Sequence, residues 1–300
     1  MPAQGTLSES HTLTHAESFP KKGVIIMLSS CLENVRAMSP LVHNITNYVT
    51  VNDVANAILA AGASPIMADE PDDAYEITAI CSALNVNIGT LNSRTIEAMF
   101  RAGKRASELG HATLLDPVGA GASSLRTNTA VDLMKEIKFD VIRGNASEIK
   151  TLALGSGKTH GVDADKADSV SDSNLGFMAG FVRDFAKSSR AVAALTGAID
   201  IVSDGEKCYV IRNGRAEMGR ITGTGCMLSG IMAAFVAANP GNVLEACAAA
   251  VCVMGLAGEI GYSHLQNHEG NSTYRNRIID AIYTMTGEIL DGGAKYEIIG

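Results

Sequence analysis

A chain of 300 residues, 46% apolar and 19% charged, holds ample material for one large α/β domain or two small ones and leaves no case for global disorder. Its net charge of -8 offers no basic stripe to neutralise a phosphate backbone, which excludes a nucleic-acid binder; an enzyme that handles anions needs positive potential only locally. The six cysteines, at 31, 81, 208, 226, 247 and 252, form no Cys-x-x-Cys pair and read as reduced thiols of a cytoplasmic protein, without a disulfide frame or a zinc site.

The first 24 residues are rich in Ser, Thr and His, lack the apolar run of a secretory signal, and carry acids but no Arg. They are expected to be a disordered extension, with a single domain from 25 to 300. Short, almost wholly apolar runs at 42–45, 65–68, 86–89, 113–118, 141–143 and 192–196 predict strands buried on both faces. Between them, 51–61, 93–109, 129–137 and 175–187 show helical patterns. Alternation of this kind builds βαβ units and a largely parallel sheet covered by helices on both faces. The runs at 200–203 and 208–211, with Asp-Gly at 204–205 and Asn-Gly at 213–214, read as antiparallel hairpin material at one edge. Beyond Ile221 no strand is predicted, only helices over 226–237, 243–260 and 273–286. The most apolar of these, 243–260, contains Glu245 and Glu259 and reads as a buried helix, not a membrane span. The polar stretch 155–172 is a surface loop within the domain.

The sharpest motif is Ile-Thr-Gly-Thr-Gly-Cys-Met-Leu-Ser-Gly at 221–230, ahead of an apolar helix. Gly223 and Gly225 let backbone N–H groups approach a ligand, and the helix adds its positive end. That combination is an anion hole suited to charge on a transferring phosphoryl group; a tight turn before a buried helix would use the same glycines. Cys226 falls in the first turn, where a helix N-terminus lowers a thiol pKa. On its own it would read as an inert buried thiol, and the Gly-Thr-Gly ahead of it is what points to function. Gly-Ser-Gly-Lys-Thr at 155–159 imitates the end of a phosphate-binding P-loop. Residue 152, however, is Leu where that motif needs Gly, and a helix precedes it instead of a strand.

Asp116 closes an apolar strand, at the carboxyl edge where open α/β sheets bind ligands. Glu148 follows the next strand. Two carboxylates at neighbouring strand ends suit Mg2+, which takes one or two carboxylates plus waters and phosphate oxygens; Asn145 and Glu148 are equally well spaced for a capping box. Arg143 offers a fork for phosphate oxygens or a surface ion pair. Asn44 is placed as a helix cap, and Met67 as a core residue or a pocket wall.

In chain order, His-Asn-Ile-Thr-Asn at 43–47, Gly-Ala-Ser-Pro-Ile-Met at 62–67, Asp-Pro-Val-Gly-Ala-Gly at 116–121, Arg-Gly-Asn-Ala-Ser-Glu at 143–148, Leu-Thr-Gly at 195–197 and Thr-Gly-Thr-Gly-Cys at 222–226 resemble the hydroxyethylthiazole kinases. The resemblance runs from about Ser39 to the C-terminus. It implies a ribokinase-like three-layer α/β sandwich, mainly parallel with antiparallel edge strands, and a homotrimer with active sites between subunits. The activity it implies is ATP- and Mg2+-dependent phosphorylation of 4-methyl-5-(2-hydroxyethyl)thiazole in thiamine biosynthesis or salvage. By the same resemblance Asp116 and Glu148 stand beside Mg2+, Arg143 and Thr196 on ATP, Met67 and Gly223 on the thiazole, and Cys226 at the catalytic position. Cys226 occupies a place that is usually Asp in the wider ribokinase-like group, and Gly-Thr-Gly replaces the commoner Gly-Ala-Gly while keeping both glycines. The competing readings are a related kinase for a hydroxymethylpyrimidine or pyridoxal-type alcohol, a nucleotide-dependent dehydratase of the same fold, and a silent ligand sensor.

Overall fold

The computed structural model describes residues 27–155 and 169–300; the expected N-terminal extension and the P-loop look-alike lie outside the described residues. In chain order the elements are α1 (Leu28–Met38), β1 (Leu41–Ile45), α2 (Val51–Ala61), β2 (Ser64–Met67), α3 (Pro71–Ile80), β3 (Ala83–Asn87), α4 (Ser93–Leu109), β4 (Ala112–Asp116), α5 (Ser124–Glu136), β5 (Val141–Asn145) and α6 (Ala146–Gly155). From residue 169 onward come α7 (Leu175–Ser189), β6 (Val192–Thr196), β7 (Asp200–Ser203), β8 (Cys208–Ile211), a 3-10 turn over Ala216–Arg220, α8 (Thr224–Ala238), α9 (Val243–Ser263), α10 (Asn271–Thr284), α11 (Gly287–Gly293) and β9 (Tyr296–Ile299).

Local chemistry sets several boundaries. Asn92 accepts from the Arg94 and Thr95 N–H groups while the Thr95 hydroxyl accepts from Asn92 N–H, a reciprocal box that starts α4. Glu70 accepts from the Asp72 and Asp73 N–H groups at the first turn of α3, with Pro71 at the first helical position. Gly62 ends α2 at φ +100°, a left-handed conformation that costs glycine nothing.

All nine strands form one sheet in the order β2-β1-β3-β4-β5-β6-β7-β8-β9. The run from β2 to β6 is parallel, and β6 to β9 is antiparallel. Side chains alternate between the two faces, as the period of a strand requires. Leu114, Val141 and Ala194 join the core under α1, α2, α8, α9 and α10. Their neighbours Leu115, Ile142 and Ala193 join the core under α4, α5, α6 and α7. The result is the expected three-layer sandwich with antiparallel strands at one edge. Helix α9 is long and apolar enough to cross a membrane, but its side chains are mostly buried between the sheet, α8 and α10, as the sequence reading expected.

The expectation of no strand beyond Ile221 is corrected by β9, which pairs antiparallel with β8 as the sheet's last strand. Three of its four residues are exposed, so it lacks the apolar signature of the buried strands; pairing with β8 supplies what its own pattern does not. Helices α1, α3 and α11 were likewise not foreseen. In α3 only Pro71, Ala74 and Thr78 are buried, too few to print a clear apolar face on the sequence.

Candidate active site

The carboxyl ends of β1, β3, β4, β5 and β6 open on one side of the sheet, and the start of α8 faces them. Register places side chains there in pairs: Asn87 lies opposite Asp116 across β3 and β4, and Asn145 opposite Thr196 across β5 and β6.

Helix α8 begins after Gly223, which adopts φ +93°, and no side chain caps it. The N–H groups of its first turn are therefore uncommitted to a cap, and the helix dipole adds positive potential there. Both glycines are required by close neighbours. A Cβ on Gly223 would come within 2.5 Å of Thr50 Cγ2, and one on Gly225 within 2.6 Å of both Arg143 Nη1 and Nη2.

Cys226 is buried at the first turn. Its Sγ receives the Asn47 amide at 3.2 Å and the Asn87 amide at 3.3 Å. Burial first, and Asp116 second, push the thiol above its ordinary pKa, against the pull of Thr50, Asn47 and Asn87. This corrects the expectation of a lowered thiol: helix position is outweighed by desolvation and a neighbouring carboxylate.

Asp116, at the carboxyl end of β4 as expected, is fully buried. Its Oδ2 accepts from Asn87 Nδ2 and from Ser229 Oγ, both at 2.8 Å. Its Oδ1 has no hydrogen-bond partner and stands 3.5 Å from Arg143 Nη1. Burial raises the carboxyl to about 6; Arg143 opposes the rise, and Glu148 adds to it.

Arg143 Nη2 donates to Thr196 Oγ1 at 2.6 Å, so the two expected nucleotide contacts are brought together. Glu148 is buried, and each of its oxygens accepts a backbone N–H at 2.8 Å, from Gly119 and from Asn145. Asn145 Oδ1 in turn accepts Glu148 N–H, completing the capping box that the spacing allowed. Glu148 thus ties the 116–121 loop to the start of α6. From Arg143, Asn145, Thr196 and Gly225 a cavity of about 630 Å³ runs back to Met218 and Met254.

One expectation fails in placement. Asn44 does not cap α2; it lies buried within β1, donating to Val42 O and accepting from Asn85. Met67, at the end of β2, is half-buried and packs against the core cluster that includes Cys226, as the core reading of this residue expects. Conversely, Asn47, Asn87 and Ser229 were missed as site residues. The signals were present: Asn87 interrupts an apolar strand, and Ser229 sits one turn after Cys226 in an otherwise apolar helix.

Fold and site together define a small-molecule kinase of the ribokinase-like class. The structure of Staphylococcus aureus pyridoxal kinase in complex with AMP-PCP and pyridoxal superposes with a TM-score of 0.56 at 14% identity, covering 87% of this chain and 98% of that one, which is a likeness of fold alone. More narrowly, the hydroxyethylthiazole kinase family model matches residues 32–288, and the chain belongs to that family. A hydroxyethylthiazole kinase from Clostridium acetobutylicum is 57% identical over 271 residues, 90% of this chain and 99% of the relative. The structure of a hydroxyethylthiazole kinase from Pyrococcus horikoshii OT3 matches with a TM-score of 0.81 and 33% identity over 91% of this chain and 99% of that one.

Proposed function

We propose that this kinase transfers the γ-phosphoryl group of ATP to the hydroxyl of 4-methyl-5-(2-hydroxyethyl)thiazole, releasing ADP and the thiazole phosphate for thiamine biosynthesis or salvage. The observation that carries the reading is the convergence of the uncapped first turn of α8, with Cys226 in it, on Arg143 and Thr196 at the mouth of one cavity. Family membership favours the thiazole alcohol over a pyridoxal-type or pyrimidine alcohol.

Phosphoryl transfer passes through a loose transition state, so positioning and charge stabilisation dominate. Arg143 and the Thr196 hydroxyl hold phosphate oxygens, and the N–H groups at Gly223–Cys226 stabilise the charge that builds on the transferred group. The substrate oxygen bonds to Pγ as the bond from Pγ to the β-phosphate oxygen breaks. Cys226 orients the hydroxyl, and its thiolate form takes the proton as the new bond to Pγ forms; the raised pKa keeps that form scarce at neutral pH. Met67 and Gly223 flank the thiazole.

The donor set fits Mg2+. Asp116 Oδ1 is a buried oxygen without a hydrogen-bond partner, and Mg2+ needs only one or two carboxylates beside waters and phosphate oxygens. Asp116 would hold the ion, with Glu148 adding negative charge nearby. When bound, the ion neutralises charge on the phosphate oxygens.

We further read the protein as a cytoplasmic homotrimer whose pockets are completed by a neighbour. Tyr48 and Val49, beside Asn47 and Thr50, are 60% and 67% exposed, an apolar rim that a second copy would cover. Met67 would then serve a neighbouring Cys226. The test is ADP release with ATP, Mg2+ and a panel of alcohols. Thiazole-dependent release is expected; faster turnover of pyridoxal or the pyrimidine alcohol would overturn the substrate assignment.

A further inference from the structure

Asn87 is buried at the end of β3, and every hydrogen-bonding position of its amide is filled. Oδ1 accepts Gly89 N–H at 2.9 Å and the Asn47 amide at 3.1 Å. Nδ2 donates to Asp116 Oδ2 at 2.8 Å and to Cys226 Sγ at 3.3 Å. The amide cannot be reversed, because the backbone N–H of Gly89 is a fixed donor and must meet an oxygen. A single nitrogen therefore spans the carboxylate at the end of β4 and the sulfur at the start of α8.

What else holds each end differs. Without Asn87, Asp116 keeps Ser229 Oγ at 2.8 Å and Arg143 Nη1 at 3.5 Å. The sulfur's other amide partner is Asn47 Nδ2, which is itself anchored on Asn87 Oδ1. The Thr50 hydroxyl gives its proton to Asn47 Oδ1. Loss of Asn87 thus takes one donor from the sulfur directly and loosens the second, while the carboxylate stays held.

We propose that Asn87 is the positioning residue that fixes the Cys226 sulfur relative to Asp116, and through it the reacting hydroxyl of the substrate. The proposal rests on the reading of Cys226 as the group beside that hydroxyl. It adds a role for a residue that makes no contact with the donor cavity.

The test is a double-mutant cycle on the full chain, with saturating ATP-Mg2+ and the thiazole alcohol, comparing wild type, Asn87→Ala, Cys226→Ala and the double variant. A misplacement of about 1 Å costs about 10²-fold, so Asn87→Ala should lose about 10–100-fold in kcat with the ATP KM within about threefold. If Asn87 acts through the sulfur, the double variant should be within about threefold of Cys226→Ala, since coupled sites are non-additive. A purely structural role would lower Tm and leave the two kcat losses multiplicative. Multiplicative losses alongside a slowed Cys226→Ala overturn this proposal alone. A Cys226→Ala variant as fast as wild type overturns it together with the role given to Cys226. Should Asn87→Ala fail to fold, Asn47→Ala removes the other sulfur donor; its smaller loss must also vanish in the Cys226→Ala background, and persistence there overturns the proposal.

Discussion

The Arg143 guanidinium lies against the backbone of Gly225, so that a Cβ there would stand 2.6 Å from both terminal nitrogens. Gly225 in the first turn of α8 and Arg143 in the middle of β5 therefore depend on each other's shape. Gly225→Ala should push the guanidinium off Thr196 and Asp116 while leaving most of the fold intact. The expected loss is about 10–100-fold in kcat/KM for ATP, the scale of one or two charge-assisted hydrogen bonds. An Ala variant with unchanged kcat/KM would mean that Arg143 does not hold the nucleotide.

Asp116 and Glu148 should separate cleanly. Asp116→Asn should weaken the Mg2+ dependence of turnover, with a stability loss limited to the ion pair with Arg143 at 3.5 Å, because Oδ2 can keep both its donors. Glu148→Gln puts an N–H₂ where a backbone N–H now donates, so it should cost about 1–3 kcal/mol of stability. Thermal unfolding and a Mg2+ titration of activity check both. A wild-type Mg2+ titration for Asp116→Asn would remove it from the metal site.

Cys226→Ser should lose about 10²-fold, the low end for removal of a proton acceptor, since the backbone N–H groups stay. The thiol sits above its ordinary pKa, so the wild-type single-turnover rate should rise with pH across the neutral range. Cys226→Asp, already ionised there, should remain active with a flatter profile. A folded but inactive Asp variant would show that the sulfur does something a carboxylate cannot.

Asp200, at the start of β7, accepts Gly197 N–H at 2.8 Å, and burial pushes its carboxyl up to about 7. Because the folded pKa lies above the ordinary value of 3.8, the native state holds this proton more tightly than the unfolded chain. The stability it contributes is present in full below that ordinary value and is lost as pH rises through about 7. Asp200→Asn keeps the acceptor and removes the titration. The wild-type Tm should therefore fall relative to the variant as pH is raised across that window; parallel curves would show that Asp200 does not titrate there.

Sedimentation should give a mass near three times the 31.3 kDa chain. Charged substitutions at Tyr48 and Val49 should dissociate the trimer and lower activity together. A fully active monomer would return both residues to the free surface.

Residue order alone determined the sandwich and most of its strands, because runs such as 192–196 can only be buried on both faces. Strand ends placed Asp116 and Glu148 at the ligand edge of a parallel sheet, and the resemblance to the hydroxyethylthiazole kinases is what added Thr196 and the catalytic place of Cys226. Residue order could not show that Asp116 and Glu148 are buried, that burial reverses the thiol shift a helix N-terminus alone would produce, or that Asn87 joins sulfur to carboxylate. Those properties belong to side chains from four separated elements, and desolvation and hydrogen-bond partnership exist only once the chain has packed them together. Strand β9 shows the same limit in the backbone: three of its four residues are exposed, and only the open edge of β8 makes it a strand.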